Sequence, residues 1–153
     1  MKIKLLVGLA LSALTSSAQG YFRAGATLII EDKPATLGVG FGAGARLNHF
    51  GVGFNADFYG LNKNRPDYGI AALDFRYYPI RFPVYASILP GYTMYEKTIL
   101  GIKTRGSFAF SSMAGVDLWL INLTAGYQYV SFRAEKQKIN SHNFKVSLSL
   151  LLK

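Results

Sequence analysis

Alternating glycines constrain the fold of this chain more than any other feature. Residues 37–54 read LGVGFGAGARLNHFGVGF, and glycine occupies every second position from Gly38 to Gly44. Successive side chains of a β-strand point to opposite faces, so this segment predicts a strand with one bare face and one apolar face. Glycine weakens a strand because it has no side chain to pack and the most backbone freedom to lose. The face without side chains therefore indicates that side chains from other strands occupy the space beside it.

Apolar residues alternate with polar or small residues in seven other segments as well. A period of two is the mark of strands, and the sequence predicts eight of them, with no helix after residue 18. Pro90-Gly91 interrupts the fifth strand and predicts a bulge or bend there, so the two faces of that strand stay unassigned. The predicted strands cover residues 21–30, 37–46, 51–59, 68–78, 84–96, 107–118, 123–133 and 144–152.

The connections between these strands alternate in length. Those after the odd strands are long or charged: EDKPAT, GLNKNRPD, KTILGIKTR and EKQKINSH. Those after the even strands are short: LNHF, PIRFP and LIN. A barrel in an outer membrane sorts its connections in this way, because its periplasmic turns are short and its outside loops are longer. The sequence therefore predicts an all-β fold, an eight-stranded antiparallel up-and-down transmembrane β-barrel.

Residues 1–18 read as a secretory signal peptide. A lysine-containing start precedes an apolar stretch, residues 5–14, that is too short to span a membrane. Ser16 and Ala18 suit the −3 and −1 positions of a cleavage site, and cleavage there leaves an outer-membrane barrel domain of residues 19–153. The chain has no cysteine, which excludes disulfides, lipidation at the cleavage site and cysteine-based metal or redox sites.

Seven charged residues fall on the non-apolar face of the predicted strands. They are Arg23, Arg46, Asp57, Asp74, Arg76, Asp117 and Lys145. Buried charges need partners, and the interior of an eight-stranded barrel is just wide enough for side chains to fill it. We expect these residues to form a paired network that fills the lumen. Small residues on one strand make room for large ones on another, so we expect the alternating glycines to face inward. These are Gly38, Gly40, Gly42 and Gly44.

Aromatic residues concentrate near the ends of the predicted strands. Two girdles of aromatic side chains at the membrane interfaces are typical of outer-membrane barrels. Near the short turns lie Phe50, Tyr77, Tyr78, Tyr85 and Trp119. Near the long loops lie Tyr59, Tyr68, Tyr95, Tyr129 and Phe132.

Four segments spread over the chain after residue 18 resemble a known family. GVGFGAGARL, ALDFRYYPIRFPVYASILPGY, MAGVDLWLINLTAGYQY and FKVSLSLLLK are similar to segments of the small eight-stranded outer-membrane barrels, the OmpA/OmpX-like and opacity-protein-like porin family. The resemblance implies a monomer in the outer membrane of a Gram-negative bacterium, with periplasmic termini. It also implies partners: membrane lipid and lipopolysaccharide, periplasmic chaperones and the barrel assembly machinery.

No catalytic, cofactor or metal site is predicted. His49 and His142 are the two histidines, and their separation matches no metal-ligand spacing. Ser141 and His142 are adjacent, so on a strand they point to opposite faces and make a poor nucleophile and base pair. The glycine run lacks the Lys-Ser/Thr of a phosphate loop. We expect a protein that is not an enzyme and has no nucleic-acid partner.

The formal charge of +9 is carried partly by the signal peptide and the lumen. The remaining cations on the predicted loops are candidates for contact with lipopolysaccharide phosphates. They are Lys63, Arg65, Lys97, Lys103, Arg105, Lys136 and Lys138.

The favoured function is that of an integral outer-membrane barrel with a structural or surface-interaction role and a side-chain-filled lumen. Three alternatives stay open at this point. The first is a narrow porin-like channel for small solutes, and the second is a barrel enzyme that modifies lipid A. The third is a soluble periplasmic lipocalin-like barrel, whose apolar face would point inward around a ligand.

Overall fold

The structure is a computed structural model of the chain. It describes residues 19–30, 35–60, 68–79, 83–95, 98–99, 102–134 and 137–152. The side chains of residues 95, 98–99, 102–105, 132, 134 and 137–139 are not described. The predicted signal peptide, residues 1–18, lies outside the described residues.

Within the described residues, nine strands follow one another along the chain, and eight of them are long. They are β1 (Gln19–Ile30), β2 (Thr36–Leu47), β3 (Phe50–Tyr59), β4 (Tyr68–Tyr77), β5 (Val84–Tyr95), β6 (Thr98–Ile99), β7 (Ile102–Leu118), β8 (Ile121–Ala134) and β9 (Gln137–Leu152). The two-residue β6 pairs only with the start of β7. The part of the chain described here contains no helix long and apolar enough to cross a membrane.

The eight long strands form one closed antiparallel ring. Neighbours in sequence pair with each other, β5 pairs with β7, and β1 pairs with β9 to close the ring. Every long strand therefore has a hydrogen-bonded partner on both sides, and none is left as an open edge. This order confirms the predicted eight-stranded antiparallel up-and-down barrel.

The short and long connections lie at opposite ends of the barrel. The ends of β2, β4 and β7 and the starts of β3, β5 and β8, which short connections join, lie at one end, together with the start of β1 and the end of β9. We call this the short-turn end and the other the long-loop end. Asn48 (φ 49°) and Trp119 (φ 50°) are the first residues of two-residue turns, and both have positive φ. This backbone geometry matches the twist of a tight hairpin.

Two strands reach further toward the long-loop end than the sequence indicates. Strand β7 begins at Ile102 and β9 begins at Gln137, inside stretches of sequence predicted to be loops. Both faces of these strand ends carry polar residues, as in KTR (103–105) and NSH (140–142). Period two therefore gives no signal there, although the backbone continues in the ladder.

The predicted bulge at Pro90-Gly91 is wrong. Strand β5 keeps one register against β7 through this site, with Pro90 opposite Phe110 and Gly91 opposite Ala109. The ladder between β4 and β5 is interrupted beside Pro90, which has no N–H to donate, but its register is the same on both sides. The shift in register lies instead between β7 and β8, from Gly106 to Ala109.

Closure of the ring predicts a gel mobility that depends on heating. The unboiled chain should resist SDS and migrate faster than the boiled chain, because a closed ladder has no free edge from which to open. Electrophoresis of the detergent-extracted protein measures this. A variant that ends at Asn143 lacks the part of β9 that pairs with β1 and should give one band under both conditions. A heat shift in that variant would contradict closure as the cause.

Candidate functional site in the barrel lumen

The barrel is polar inside and apolar outside. Along β9, the buried residues are Lys145, Ser147 and Ser149, and the exposed ones are Phe144, Leu148 and Leu150. Strand β5, whose faces the sequence leaves unassigned, buries Tyr85, Ser87, Leu89 and Thr93. A lipocalin-like barrel needs the opposite arrangement, with its apolar face inward, so the structure contradicts that alternative.

Asp74 holds two arginines inside the lumen, toward the short-turn end. Its Oδ2 accepts hydrogen bonds from Arg76 Nε (2.9 Å) and Nη2 (2.8 Å) and from Arg23 Nη2 (3.1 Å). Arg23 also donates to Asn55 Oδ1 at 2.8 Å and to Asn122 Oδ1 at 3.3 Å. Hydrogen bonds between ionised groups are among the stronger ones in proteins, so this group fixes β1, β3, β4 and β8 relative to one another.

The Arg76 guanidinium lies over two aromatic rings as well. Its Cζ is 4.5 Å from the ring centroid of Tyr21 and 4.5 Å from that of Tyr85. The side chain has no exposed surface, and a desolvated cation gains more from the negative face of a ring than an exposed one. Arg76 is therefore held by a carboxylate and by two rings at once.

Lys145 and Asp57 form a second ion pair, which crosses the lumen between β9 and β3. Asn55 Nδ2 donates to the same Asp57 Oδ2 at 2.7 Å. Because Asn55 also accepts from Arg23, it joins the two ion-pair groups into one network. The lumen thus contains a continuous chain of polar contacts from Arg76 to Lys145.

Asp117 is bound by neutral donors. Tyr78 donates its hydroxyl to Oδ2 at 3.2 Å, and Asn122 Nδ2 donates to Oδ1 at 2.6 Å. Asn122 Nδ2 also lies 2.7 Å from the hydroxyl of Tyr85. The partners of this buried carboxylate in the described part of the chain are thus neutral, in contrast to the expected charge pairing.

Arg46 meets the lumen network at its edge, through the ring of Tyr78 and not through a carboxylate. It is the last residue but one of β2, beside the turn at 48–49, and it is partly exposed. Its Nε donates to the carbonyl oxygen of Asn48 at 3.1 Å, and its Cζ lies 3.7 Å from the ring centroid of Tyr78. Water reaches this end of the barrel, so the cation needs no carboxylate there.

Each of the four alternating glycines lies against a large side chain from a neighbouring strand. A Cβ added to any of them would come within 2.5–2.7 Å of that side chain, closer than real Cβ contacts. The side chains are Tyr59 at Gly38, Asp57 at Gly40, Arg23 at Gly42 and Tyr21 at Gly44. The bare face of β2 therefore leaves room for the tyrosines and charged groups that fill the lumen.

The lumen also contains an apolar cluster that the sequence analysis missed. Its members are Ile29, Tyr59, Ile70, Ala72, Leu89, Ala109, Met113 and Val130. Ile29 has the same parity in β1 as Arg23 and Thr27, so parity alone was enough to place it inside. Only polar and small residues were expected on the inward face, so these apolar positions were not predicted.

Four of the tyrosines assigned to the aromatic girdles face inward instead, among them Tyr68, which packs against the apolar cluster. Tyr59, Tyr78 and Tyr85 are 1–2% exposed, and the rings of Tyr78 and Tyr85 are in contact, with centroids 5.2 Å apart. Proximity to a strand end does not determine which face a residue occupies. Phe50, Tyr77 and Trp119 do face outward at the short-turn end.

The two histidines lie near opposite ends of the barrel. His49 Nδ1 is 2.8 Å from the carbonyl oxygen of Tyr78 at the short-turn end. His142 is exposed on the outward face, where its Nδ1 is 2.6 Å from the hydroxyl of Tyr127. The adjacent Ser141 points the other way and donates to Asn143 at 2.8 Å. The structure therefore does not bring Ser141 and His142 together as a catalytic pair.

No cluster of three or more His, Asp or Glu among the described residues could hold a metal ion. Of the predicted loop cations, Lys63, Arg65, Lys97 and Lys136 lie outside the described residues. The backbones of Lys103, Arg105 and Lys138 lie in β7 and β9, but their side chains are not described.

Comparison with known proteins shows similarity in fold. No protein-family model and no curated protein matches the chain. Neisserial surface protein A (NspA) is similar in structure, with a TM-score of 0.55 and 16% identity over 89% of this chain and 98% of that one. The outer membrane protein Ail of Yersinia pestis, in a phospholipid bilayer nanodisc, has a TM-score of 0.53 and 11% identity over 88% and 99%.

The chain has the fold of the small eight-stranded outer-membrane β-barrels. Both comparisons span nearly the whole of the known chains, so the likeness extends to the complete barrel and not to one hairpin. The ion-pair network and the apolar cluster occupy the interior of this barrel. At these identities the likeness establishes the fold alone.

Replacing Asp74 with alanine should destabilise the barrel strongly. The change leaves Arg23 and Arg76 buried without their carboxylate, and removing one partner of a buried ion pair costs about 3–5 kcal/mol. Urea unfolding of the chain in lipid vesicles measures the loss. Arg46→Ala is the control, because a partly exposed cation that has no carboxylate partner among the described residues should contribute only about 1 kcal/mol. Equal losses for the two variants would contradict the central role of Asp74.

Proposed function

We propose that this protein is an integral outer-membrane β-barrel with a structural or surface-interaction role and a lumen closed by side chains. The observation that carries the proposal is the apolar outer surface. Large hydrophobic side chains are exposed on every long strand, for example Phe54 (50% exposed) on β3 and Leu150 (66%) on β9. Monomeric soluble proteins rarely expose a contiguous apolar patch larger than a few hundred Å². An apolar belt around the whole barrel is suited to contact with the acyl chains of a lipid bilayer.

The closed backbone ladder supports the same proposal. In a bilayer, every backbone N–H and C=O must be paired within the protein, and a closed barrel is one of two structures that achieve this. The ring also leaves no long strand edge for pairing with a second copy, which favours a monomer. The fold shared with the outer membrane protein Ail agrees with this location.

The orientation follows from the two ends of the barrel. Outer-membrane barrels keep their short turns in the periplasm and their longer loops outside. In this proposal the protein lies in the outer membrane of a Gram-negative cell. Its short-turn end, where β1 starts and β9 ends, therefore faces the periplasm. The outer half of the belt then contacts lipopolysaccharide, and insertion uses periplasmic chaperones and the barrel assembly machinery.

The proposal includes no catalytic step. The outward-facing His142 is hydrogen-bonded to Tyr127, and the adjacent Ser141 faces the other side of the sheet, so these two residues do not meet the lipid as a pair. The residues that fill the lumen are those of the ion-pair network and of the apolar cluster. The role of the protein is therefore assigned to its surfaces, and the long-loop end is the surface that faces the environment.

Trp119 provides a direct test of membrane insertion, because it is the single tryptophan of the chain. It lies at the tip of a short turn and is 86% exposed. In lipid vesicles we expect blue-shifted emission and quenching by lipids brominated near the headgroup, because tryptophan prefers the membrane interface. Emission unchanged by brominated lipid would contradict insertion at this end.

A matched control moves the tryptophan to the middle of the belt. In the double variant Trp119→Phe, Phe54→Trp, the new residue lies at the centre of β3 on the exposed face. Its quenching should be strongest with lipids brominated deep in the acyl chains. The same depth profile for both proteins would contradict the proposed orientation of the barrel across the bilayer.

Conductance separates the proposed function from the narrow-channel alternative. The ion pairs and the apolar cluster together fill the lumen, so planar bilayers that contain the purified full chain should show no steady current above that of protein-free bilayers. Reconstitution is verified in parallel by the heat-dependent gel shift. A steady open current from correctly folded protein would favour the channel for small solutes.

A further inference from the structure

The register shift in β7 decides which face of the sheet the start of this strand occupies. On the short-turn side of the shift, odd-numbered residues of β7 such as Ala109 are buried in the lumen. Ala109 pairs with Val130 but Gly106 pairs with Phe132, so two residues of β7 lie opposite one residue of β8. One extra residue in a strand reverses the alternation of its faces beyond that point. The position of Arg105, an odd-numbered residue like Ala109, therefore lies on the opposite face of the sheet.

Two side chains of β5 hold this bulge. Thr93 is fully buried, and its Oγ1 accepts a hydrogen bond from the backbone N–H of Ser107 at 2.7 Å. The same hydroxyl donates to the carbonyl oxygen of Ser131 at 3.0 Å. Tyr92 donates its hydroxyl to the carbonyl oxygen of Gly106 at 2.6 Å, and a Cβ added to Gly106 would collide with the carbonyl oxygen of Thr93. Side chains thus bond backbone groups at the bulge, which fixes the reversal of faces.

The reversal aligns three cationic positions across three strands. Arg105 is opposite Arg133 in the β7–β8 ladder, and Arg133 is opposite Lys138 in the β8–β9 ladder. Directly opposite residues share one face of a sheet. Arg133 is exposed and has the parity of Tyr127, which faces outward. The three positions therefore lie on the outer face, and we call them the cation row.

The cation row is unfavourable for the isolated barrel. Like charges directly opposite each other destabilise a sheet, and Arg133 has no carboxylate partner in the part of the chain that the structure describes. Neighbouring strands are about 4.8 Å apart, so the row extends over about 10 Å along a line that crosses the strands. A bulge that side chains hold in place, and that creates such a line of charge, indicates an anionic partner from outside the chain.

The height of the cation row favours a partner beyond the lipid headgroups. Along β8, Arg133 lies further toward the long-loop end than Tyr129, which is opposite His142. At about 3.3 Å per residue and a strand tilt of about 40°, the four-residue step from position 129 raises it by about 10 Å. The interfacial region on each side of a bilayer is only about 5–8 Å thick, and aromatic residues mark its level. The row therefore lies outside the region of the headgroups.

We propose that the cation row binds a linear acidic polysaccharide outside the cell, with the polysaccharide chain lying across β7, β8 and β9. This inference rests on the proposed function, because it requires the long-loop end to face the environment. A polymer with a charge on each sugar can present one anionic group to each strand, and guanidinium groups suit the bidentate recognition of such groups. Thr93 and Gly106 are positioning residues, since they keep Arg105 in the row.

Binding to immobilised dextran sulfate, with uncharged dextran as the reference, tests the proposal. The full chain in zwitterionic detergent should bind dextran sulfate at low salt and should not bind dextran. Arg133→Gln should weaken binding about 5-fold, the effect of one cation near an anionic surface. Adding Arg105→Gln and Lys138→Gln should weaken it further. Arg46→Gln is the matched control, because it removes the same charge at the opposite end of the barrel. Equal effects of Arg46→Gln and Arg133→Gln would overturn the proposal.

Cysteine pairs test the role of the bulge, since the chain has no cysteine of its own. The variant with Arg105→Cys and Arg133→Cys should form a disulfide on oxidation. The variant with Arg105→Cys and Ala134→Cys should not, because these positions are opposite only if the register does not shift. In the first variant, Thr93→Val should lower the disulfide yield, and Thr93→Ser should preserve it because serine retains the hydroxyl. A higher yield for the pair 105 and 134 than for 105 and 133 would overturn the assembly of the row by the bulge.

Two further outcomes separate this inference from its rivals. Protein that keeps its heat-dependent gel shift but does not bind dextran sulfate would overturn the inference and leave the proposed membrane location intact. Tighter binding to lipopolysaccharide micelles or to DNA than to dextran sulfate, if lost in Arg133→Gln, would assign the row to phosphate groups. That result would overturn the polysaccharide as the partner.

Discussion

Closure of the backbone hydrogen-bond ladder is the constraint on which the rest of this structure depends. An apolar outer surface offers no partner for a peptide group, so the pairing of β1 with β9 must leave no long strand open. Once the ring is closed, alternate side chains of every strand point inward. The interior must then accommodate whatever the sequence places on that face, and an interior enclosed by eight strands is narrow.

The inward face meets this requirement through balance of both charge and volume. Within the described residues, Arg23, Arg76 and Lys145 match three buried carboxylates, those of Asp57, Asp74 and Asp117. Asn55 links the Arg23–Asp74 and Lys145–Asp57 groups, so the network acts across four strands and not only within hairpins. The bare face of β2 provides the volume, because its glycines accept the side chains that cross the lumen.

A lumen built in this way directs attention to the surfaces of the barrel as the place of its function. Its polar groups bond mainly to each other, as Asp74 does to two arginines, and the apolar cluster around Leu89 and Met113 occupies further space. Such an interior stabilises the ring, and in the proposed function it also resists passage of solutes. The parts of the molecule that remain free to meet partners are the outer belt and the two ends. The proposed structural or surface-interaction role is consistent with that distribution.

Much of this architecture was predictable from the sequence, because a strand in a closed barrel has only two faces. Period two alone placed Arg23, Asp57 and Asp74 on the inward side and Phe54 on the outward side, and alternating connection lengths predicted the order of the strands. Parity also indicates that Ile29 lies inside, but this residue was left out of the expected lumen set. Where both faces are polar, as at the start of β9, periodicity carries no information and the strand was predicted too short.

Tertiary structure decided the partners and the surroundings of these residues. Parity cannot tell that Arg46 lies at a wet end of the barrel, that Asp117 bonds to Tyr78 and Asn122, or that Lys145 reaches Asp57 across the lumen. Those outcomes depend on the stagger of the strands, which sets the height of each side chain in the ring. In the strands that alternate clearly, the sequence by itself determined which face a residue occupies. Only the closed ring decided which residues meet, because contacts across the lumen join strands that are not neighbours in the sheet.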